Sequence, residues 1–275
     1  MSTLDTLAGP AAPGDLHVMS FNLRYASVDG PYPWAHRRPV VRSLLDAERP
    51  DLVGTQEGLA GQLDDVRADL GTAYGFVGTG REGGRQGEFS AIFYRVDRLT
   101  ALQHEVFWLS DTPDVVGSNT WGARCVRMAT WARFRDTVTG REFCLVNTHL
   151  DHISENARRR SAALIRDRIA AFGPGLPVVL TGDFNTPAGA DSPAYRLLTG
   201  AAALVDAWTA APRRGPAYST WHGFGPVVVD GPRIDWILVT PDIAVEAAAV
   251  NPFRNGDRFP SDHLPVQARL RLPAC

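Results

Sequence analysis

Six stretches of this chain close an apolar run with side chains that can bind a cation, move a proton or grip an anion. From the amino terminus they are Phe21-Asn22, Gln56-Glu57, Asn147-Thr148-His149-Leu150-Asp151-His152, Gly182-Asp183-Phe184-Asn185, Arg233-Ile234-Asp235-Trp236 and Ser261-Asp262-His263. Carboxylates offer hard oxygens to a divalent cation and can take up a proton. Imidazoles exchange protons near neutrality, and amides donate to anionic oxygens. Each residue has an ordinary role when met alone. Asn22 can form a turn, Glu57 can cap a helix, Asp183 and Asn185 can close an Asx turn, and His263 can sit in a core. Six groups, each directly after an apolar stretch, point instead to one rim where strand ends deliver a site.

The elements that must position these residues are legible from periodicity and breakers. Leu16 to Leu23, Asp51 to Gln56, Tyr74 to Val77, Ser90 to Tyr94 and Leu99 to Trp108 read as strands. Met128 to Asp136 and Glu142 to Asn147 read as a hairpin across Thr139-Gly140. Leu176 to Leu180, Ile234 to Val239 and Leu264 to Leu272 complete the strands. Helices are expected over Arg37 to Glu48, with Pro39 in the first turn, over Leu59 to Leu70, and over Ser154 to Phe172. Ser154 caps the last of these and Gly173-Pro174 stops it. Strands and flanking helices in both parts of the chain suit two sheets face to face with helices outside, an α/β/β/α sandwich. We expect one domain over residues 15–275, after a disordered segment over residues 1–14.

Composition narrows the partners. With 275 residues, 44% hydrophobic, the chain can bury a substantial core. No apolar run approaches the roughly 20 residues that span a bilayer. The small, polar first residues do not resemble a secretory leader, and three cysteines outside any C-x-x-C pair suit a reduced, cytoplasmic setting. All 28 basic residues are arginine, which excludes Schiff-base and P-loop lysine chemistry. A net charge of −2, with arginines only in local clusters, disfavours a protein that grips long duplex DNA. It leaves a small phosphate ester open as substrate, and no obligatory protein partner is evident.

Taken in order, Asn22, Gln56-Glu57, Asn147-x-His149, Gly182-Asp183-x-Asn185, Asp235 and Ser261-Asp262-His263 resemble the endonuclease/exonuclease/phosphatase superfamily, from Asn22 to His263. The resemblance implies a DNase I-like four-layer α/β/β/α sandwich with two mostly antiparallel sheets. It also implies a Mg²⁺-dependent phosphoesterase, with Mn²⁺ able to substitute, in which activated water attacks in line. On that pattern Glu57 and Asp262 hold the metal, and Asn22 contacts its shell or a phosphate oxygen. Asp183 orients or deprotonates the water, and Asn185 binds a non-bridging oxygen. His263, paired with Asp235, faces the phosphate, and His149 lies on the leaving-group side.

Substrate contacts are expected from Asn147, Asp151, Arg127, Arg158, Glu88, His222 and Trp34, with Trp221 as a pocket wall. Three other readings stay open. A nuclease on short or single-stranded nucleic acid needs arginines and aromatics along one groove, which Trp34, Arg37, Arg158 and Trp221 could supply if they share a face. A zinc hydrolase is suggested by Asn147-x-His149-x-Asp151-His152, one residue from a His-x-His-x-Asp-His signature, but it leaves Asn22 and Glu57 unexplained. A non-catalytic module of the same fold should have lost one of Glu57, Asp183, Asp235 or His263, and all are present.

Overall fold

A strict two-residue alternation in β1 (Asp15–Asn22) sets the architecture. Leu16 and Val18 pack into the layer between two sheets, whereas Met19 and Phe21 pack outward against helices. Asn22 shares the inward parity of Leu16 and Val18, so it reaches the opposite sheet. The same alternation holds in β8 (Val178–Asp183), where Val179 faces the middle layer and Leu180 faces out, and in β10 (Asp235–Val239), where Ile237 faces in and Trp236 out.

The computed structural model describes Leu7 and residues 14–27, 30–200 and 204–274. The expected disorder of residues 1–14 falls outside these, apart from Leu7 and Gly14. Leu7 is buried against Ala247 and Ala249.

The first sheet is ordered β11-β12-β1-β2-β4-β3 and the second β5-β6-β7-β8-β10-β9. Besides the strands already given, they comprise β2 (Leu52–Leu59), β3 (Tyr74–Val77), β4 (Glu88–Arg95), β5 (Leu99–Trp108), β6 (Met128–Asp136), β7 (Glu142–His149), β9 (Val205–Asp206), β11 (Ala244–Val250) and β12 (Val266–Arg271). Each sheet is antiparallel except for one central parallel pair, β1 with β2 and β7 with β8. A helix crosses over in each case: α1 (Trp34–Glu48) and α3 (Glu155–Ala170). Two parallel pairs therefore end, carboxyl ends first, at one rim. On the outside, α1 and α2 (Ala60–Leu70) cover the first sheet through Val41, Leu44, Leu63 and Val66. The second sheet is covered by α3 and α4 (Pro193–Thr199) through Ile165, Ala162 and Leu198. Four layers result, as expected.

The β6–β7 hairpin and the Ser154 cap stand where expected, with the Ser154 hydroxyl accepting from Ala157 N at 3.2 Å. Helix α1 begins three residues earlier than expected, after Pro33, so Pro39 lies in its interior rather than its first turn. Strand β11, helix α4 and the short α5 (Ala207–Ala210) went unassigned. The Ala-Val-Glu-Ala-Ala-Ala-Val run of β11 has helix-favouring composition, and pairing with β12 overrides it.

Candidate active site

Inward-facing positions at the rim carry the polar residues. In register, His149 stands beside Asp183 across the parallel pair, and Asp183 stands opposite Asp235 across the antiparallel one. All three are buried, and Asn22 meets them from the other sheet. Its Nδ2 donates to Asp183 Oδ2 and to Glu57 Oε1, both at 3.0 Å.

Glu57 breaks the alternation that brings it there. Continuing the pattern of Leu52, Gly54 and Gln56 would turn Glu57 toward the helices. A bulge between Thr55 and Gly58 and a left-handed φ of 63° redirect it to the rim. A left-handed backbone at a non-glycine residue is costly, and the surrounding bonds must hold it.

Beneath the rim, Asn147 ties the sheets together. It donates to Thr55 O at 2.8 Å and Ala91 O at 2.9 Å, and its Oδ1 accepts from Gln56 Nε2 at 2.7 Å and Thr181 Oγ1 at 3.0 Å. A Cβ at Gly54 would run into Asn147 and Thr181, so glycine makes room for this tie.

The last segment closes the site. Asp235 Oδ2 lies 2.9 Å from His263 Nδ1, and His263 Nε2 is 3.8 Å from Asp183 Oδ2. Burial opposes the imidazolium, but the Asp235 and Asp183 carboxylates outweigh it and raise His263 above its usual range. Burial, and then the neighbouring Asp235 carboxylate, raise Asp183. His149 goes the other way: burial first, then Arg127, hold it well below the usual histidine range. Neutral His149 accepts at Nε2 from Asn185 Nδ2 at 2.9 Å, and the same Nδ2 donates to Leu150 O.

Glu57, Asp183 and His263 each present a ligand-type atom, all within 4.8 Å of one another. His263 is engaged by Asp235 through Nδ1 and turns Nε2 toward Asp183, so the two carboxylates are the harder donors of the three. The oxygens of Glu57 and Asp183, held by the Asn22 NH₂ between them, and Asp262 lining the same cleft form a hard donor set that fits Mg²⁺ or Mn²⁺.

Glu57, Asp183, Asp262 and His263 line a cleft of about 510 Å³ together with His149, Asn185, Glu88 and Arg127. Arg24, Tyr25, Arg81, Cys125 and His152 also line it, and none of these was expected as a site residue. All five stand in loops, where no periodicity signals them; the nearness in sequence of Arg24 and Tyr25 to Asn22 and of His152 to Asp151 was the available clue. Trp221 is at the cleft, as expected for a pocket wall. A larger cavity of about 680 Å³ lies at the far end, around Ile169, Leu176 and Pro241, and is mainly apolar.

Five expected substrate contacts lie elsewhere. Asn147 is consumed by the inter-sheet tie. Asp151 accepts from the backbone of Arg124, Ile153 and Ser154, and so fixes two loops. Arg158 donates to Asp151 O at 2.8 Å. His222 lies against Phe259 with Nδ1 3.1 Å from Gly225 O. Trp34 is buried in the outer layer and donates to Asp65 at 2.8 Å. Arg37, considered for a nucleic-acid groove, is buried beside Trp34. It donates to the carbonyls of Leu23, Arg24, Tyr25 and Pro260, clamping the loop of Arg24 to the segment that carries Asp262 and His263.

The geometry agrees with known proteins. A model described as the Endonuclease/Exonuclease/phosphatase family matches residues 19–263. An endonuclease/exonuclease/phosphatase from Bacteroides vulgatus is similar at 38% identity, covering 94% of this chain and 99% of its own, with a TM-score of 0.88. A mannosyl-6-phosphatase from Bacteroides thetaiotaomicron is 36% identical over 93% of this chain and 99% of its own, with a TM-score of 0.86. An uncharacterised protein of Acanthamoeba polyphaga mimivirus is 28% identical over 174 residues, 60% of this chain. The match takes in 63% of that viral protein, less than two thirds of its length.

Proposed function

Because the chain belongs to the endonuclease/exonuclease/phosphatase family, we propose that it is a Mg²⁺-dependent hydrolase of a small-molecule phosphate ester, a monoester in the first instance. The observation that carries this reading is the meeting of Glu57, Asp183 and the Asp235–His263 pair across two sheets.

Glu57 and Asp183 would hold the cation, with Asp262 beside them; bound there, it would neutralise phosphoryl oxygens and the leaving oxygen. Asp183 orients the attacking water and takes its proton as the new P–O bond forms. The imidazolium of His263 faces the charge that develops on the phosphoryl oxygens, and Asp235 keeps it charged. His149 holds the Asn185 amide in place. The leaving oxygen departs with the electron pair of the broken P–O bond and takes a proton from water at the open mouth of the cleft.

Confinement supports a small substrate: the cleft is of ordinary ligand-site size. A single-stranded nucleic acid would need a groove of arginines and aromatics. Trp34, Arg37 and Arg158 are engaged elsewhere, leaving only Trp221 of that set at the cleft. The similarity to a mannosyl-6-phosphatase favours a sugar phosphate as the first compound to try.

The test is phosphate release from p-nitrophenyl phosphate, bis-p-nitrophenyl phosphate and a hexose 6-phosphate with Mg²⁺ or Mn²⁺, beside plasmid and single-stranded DNA. We expect monoester turnover that is lost with EDTA and in Asp183→Ala and His263→Ala. DNA cleavage that both substitutions abolish, without ester turnover, would overturn the reading.

A further inference from the structure

A half-buried arginine, a buried one and a glutamate at the cleft have no part in the reaction above. Arg81 comes from the glycine-rich loop between β3 and β4, and its backbone is pinned: its N donates to Glu88 O at 2.9 Å and its carbonyl accepts from Trp108 Nε1 at 2.6 Å. Its guanidinium meets Glu88 through one contact, Nη1 to Oε2 at 2.7 Å. Glu88 Oε1 has no partner among the described residues, and Arg81 Nε is buried without one. Arg127 stands in the same wall, more than nine-tenths buried, and touches His152 Nδ1 at 3.1 Å through Nη2. Its Nε likewise has no hydrogen-bond partner, the carboxylate of Asp151 lying 4.0 Å away. Those two Nε atoms are shut off from solvent, but Glu88 lines the cleft with its Oε1 unpartnered among the described residues, and that oxygen offers an acceptor to a ligand there.

Trp221 supplies an apolar surface to that cleft. It is 54% exposed, although its backbone bridges to His263 and its ring lies over Gly223, where a Cβ would come within 3.1 Å. The loop that carries it is latched to the loop before α1 by Tyr32 stacked on Phe224, with ring centroids 3.9 Å apart. An indole kept at a cleft with half its surface open offers a face for stacking.

We infer that Arg81, Glu88 and Arg127, with Trp221, form a leaving-group subsite that reads the hydroxyls of a polyol or sugar ring. A hydroxyl both donates and accepts, and so matches a carboxylate oxygen set beside guanidinium donors. A purely apolar leaving group would leave the Glu88 oxygen without a hydrogen-bond partner. The assignment rests on the phosphoesterase reading and adds the substrate's non-phosphate part.

The experiment compares kcat/KM for a hexose 6-phosphate with that for n-hexyl phosphate, in the wild type, in Glu88→Gln and in the Arg81→Gln/Glu88→Gln double variant, which keeps the wall neutral. Both esters lose phosphate from a primary alcohol and differ in their hydroxyls. The wild type should favour the hexose ester by about 100-fold or more. Each variant should lower that ratio by at least about tenfold, as expected for hydrogen bonds to charged groups. A wild-type ratio near unity, or equal losses on both esters, would overturn the subsite. Phosphate release from p-nitrophenyl phosphate by the wild type tests the underlying reading separately. If that is absent, the phosphatase reading fails and the subsite falls with it.

Discussion

Asp183 and Asp136 are both buried aspartates in the second sheet, and they face opposite demands. Asp136 ends β6 at the hairpin, where β7 begins; Asp183 ends β8 at the rim, where β7 finishes. Every side of Asp136 is matched. Arg98 donates to it twice, at 2.8 and 3.1 Å, Thr139 Oγ1 at 2.8 Å and Val138 N at 3.0 Å. Burial alone would raise its pKa, but Arg98 and these donors hold it below the usual carboxylate range. Asp183 receives Asn22 and Asn185, but it faces Asp235 across the ladder and shares Asn22 with Glu57. Its carboxyl is raised instead. The same residue type at two ends of one sheet is thus neutralised for stability in one place and left short of positive charge in the other. That shortage is what a divalent cation would fill.

The contrast is sharpest in what each carboxylate does when removed. Asp183→Asn should lower kcat by about 10²–10⁴-fold, the range for a positioned acid–base group. Its Tm at pH 8 should not fall, because the substitution removes a buried like-charge contact; a large drop in Tm would mean that Asp183 also holds the fold. Asp136→Asn should do the reverse. Breaking a buried, hydrogen-bonded pair costs about 3 kcal/mol, read as a lower midpoint in urea, while kcat/KM of the remaining folded enzyme stays the same.

The pH dependence follows from the depressed carboxyl. A group that titrates lower in the folded state contributes fully above its unfolded value, about 4, and loses that contribution as pH falls through the folded one. Asp136→Asn should therefore flatten the acid limb of a Tm-against-pH curve as well as lower its plateau. An unchanged acid limb would remove Asp136 from the comparison.

The smallest effect is expected at Arg158, near the rim but turned onto Asp151 O. Arg158→Ala should cost about 1 kcal/mol of stability and leave KM for the ester within about twofold. A tenfold rise in KM would show that it reaches substrate after all.

Much of this was legible in the chain. Asn22 and Asp183 were visible because apolar alternation stops abruptly at the ends of β1 and β8, while Asp235 opens β10 and His263 stands just before β12. Asn147 sits in the same motif as His149, two positions earlier, and spacing alone gave no reason to separate them. They share a face, but Asn147 lies one step deeper, where Gln56 and Thr181 use its amide. Glu88 was legible as a candidate at the start of β4, but Arg81 lies in a glycine-rich turn with no period to read, so their contact emerged only once β3 and β4 were paired.

The sequence by itself determined which face each side chain takes, because a two-residue period assigns alternate positions to opposite sides of a strand without reference to any partner. It placed Leu16, Val18 and Asn22 on one side of β1, and Val179 and Asp183 on one side of β8. Only the tertiary structure decided that those sides face each other and that Asn22 donates to Asp183 across 161 residues of chain. It also decided the turning of Glu57, whose left-handed backbone contradicts the local alternation. A bulge is stable only when pairing with β4 on one side and the Asn22 and Tyr25 bonds on the other hold it in place.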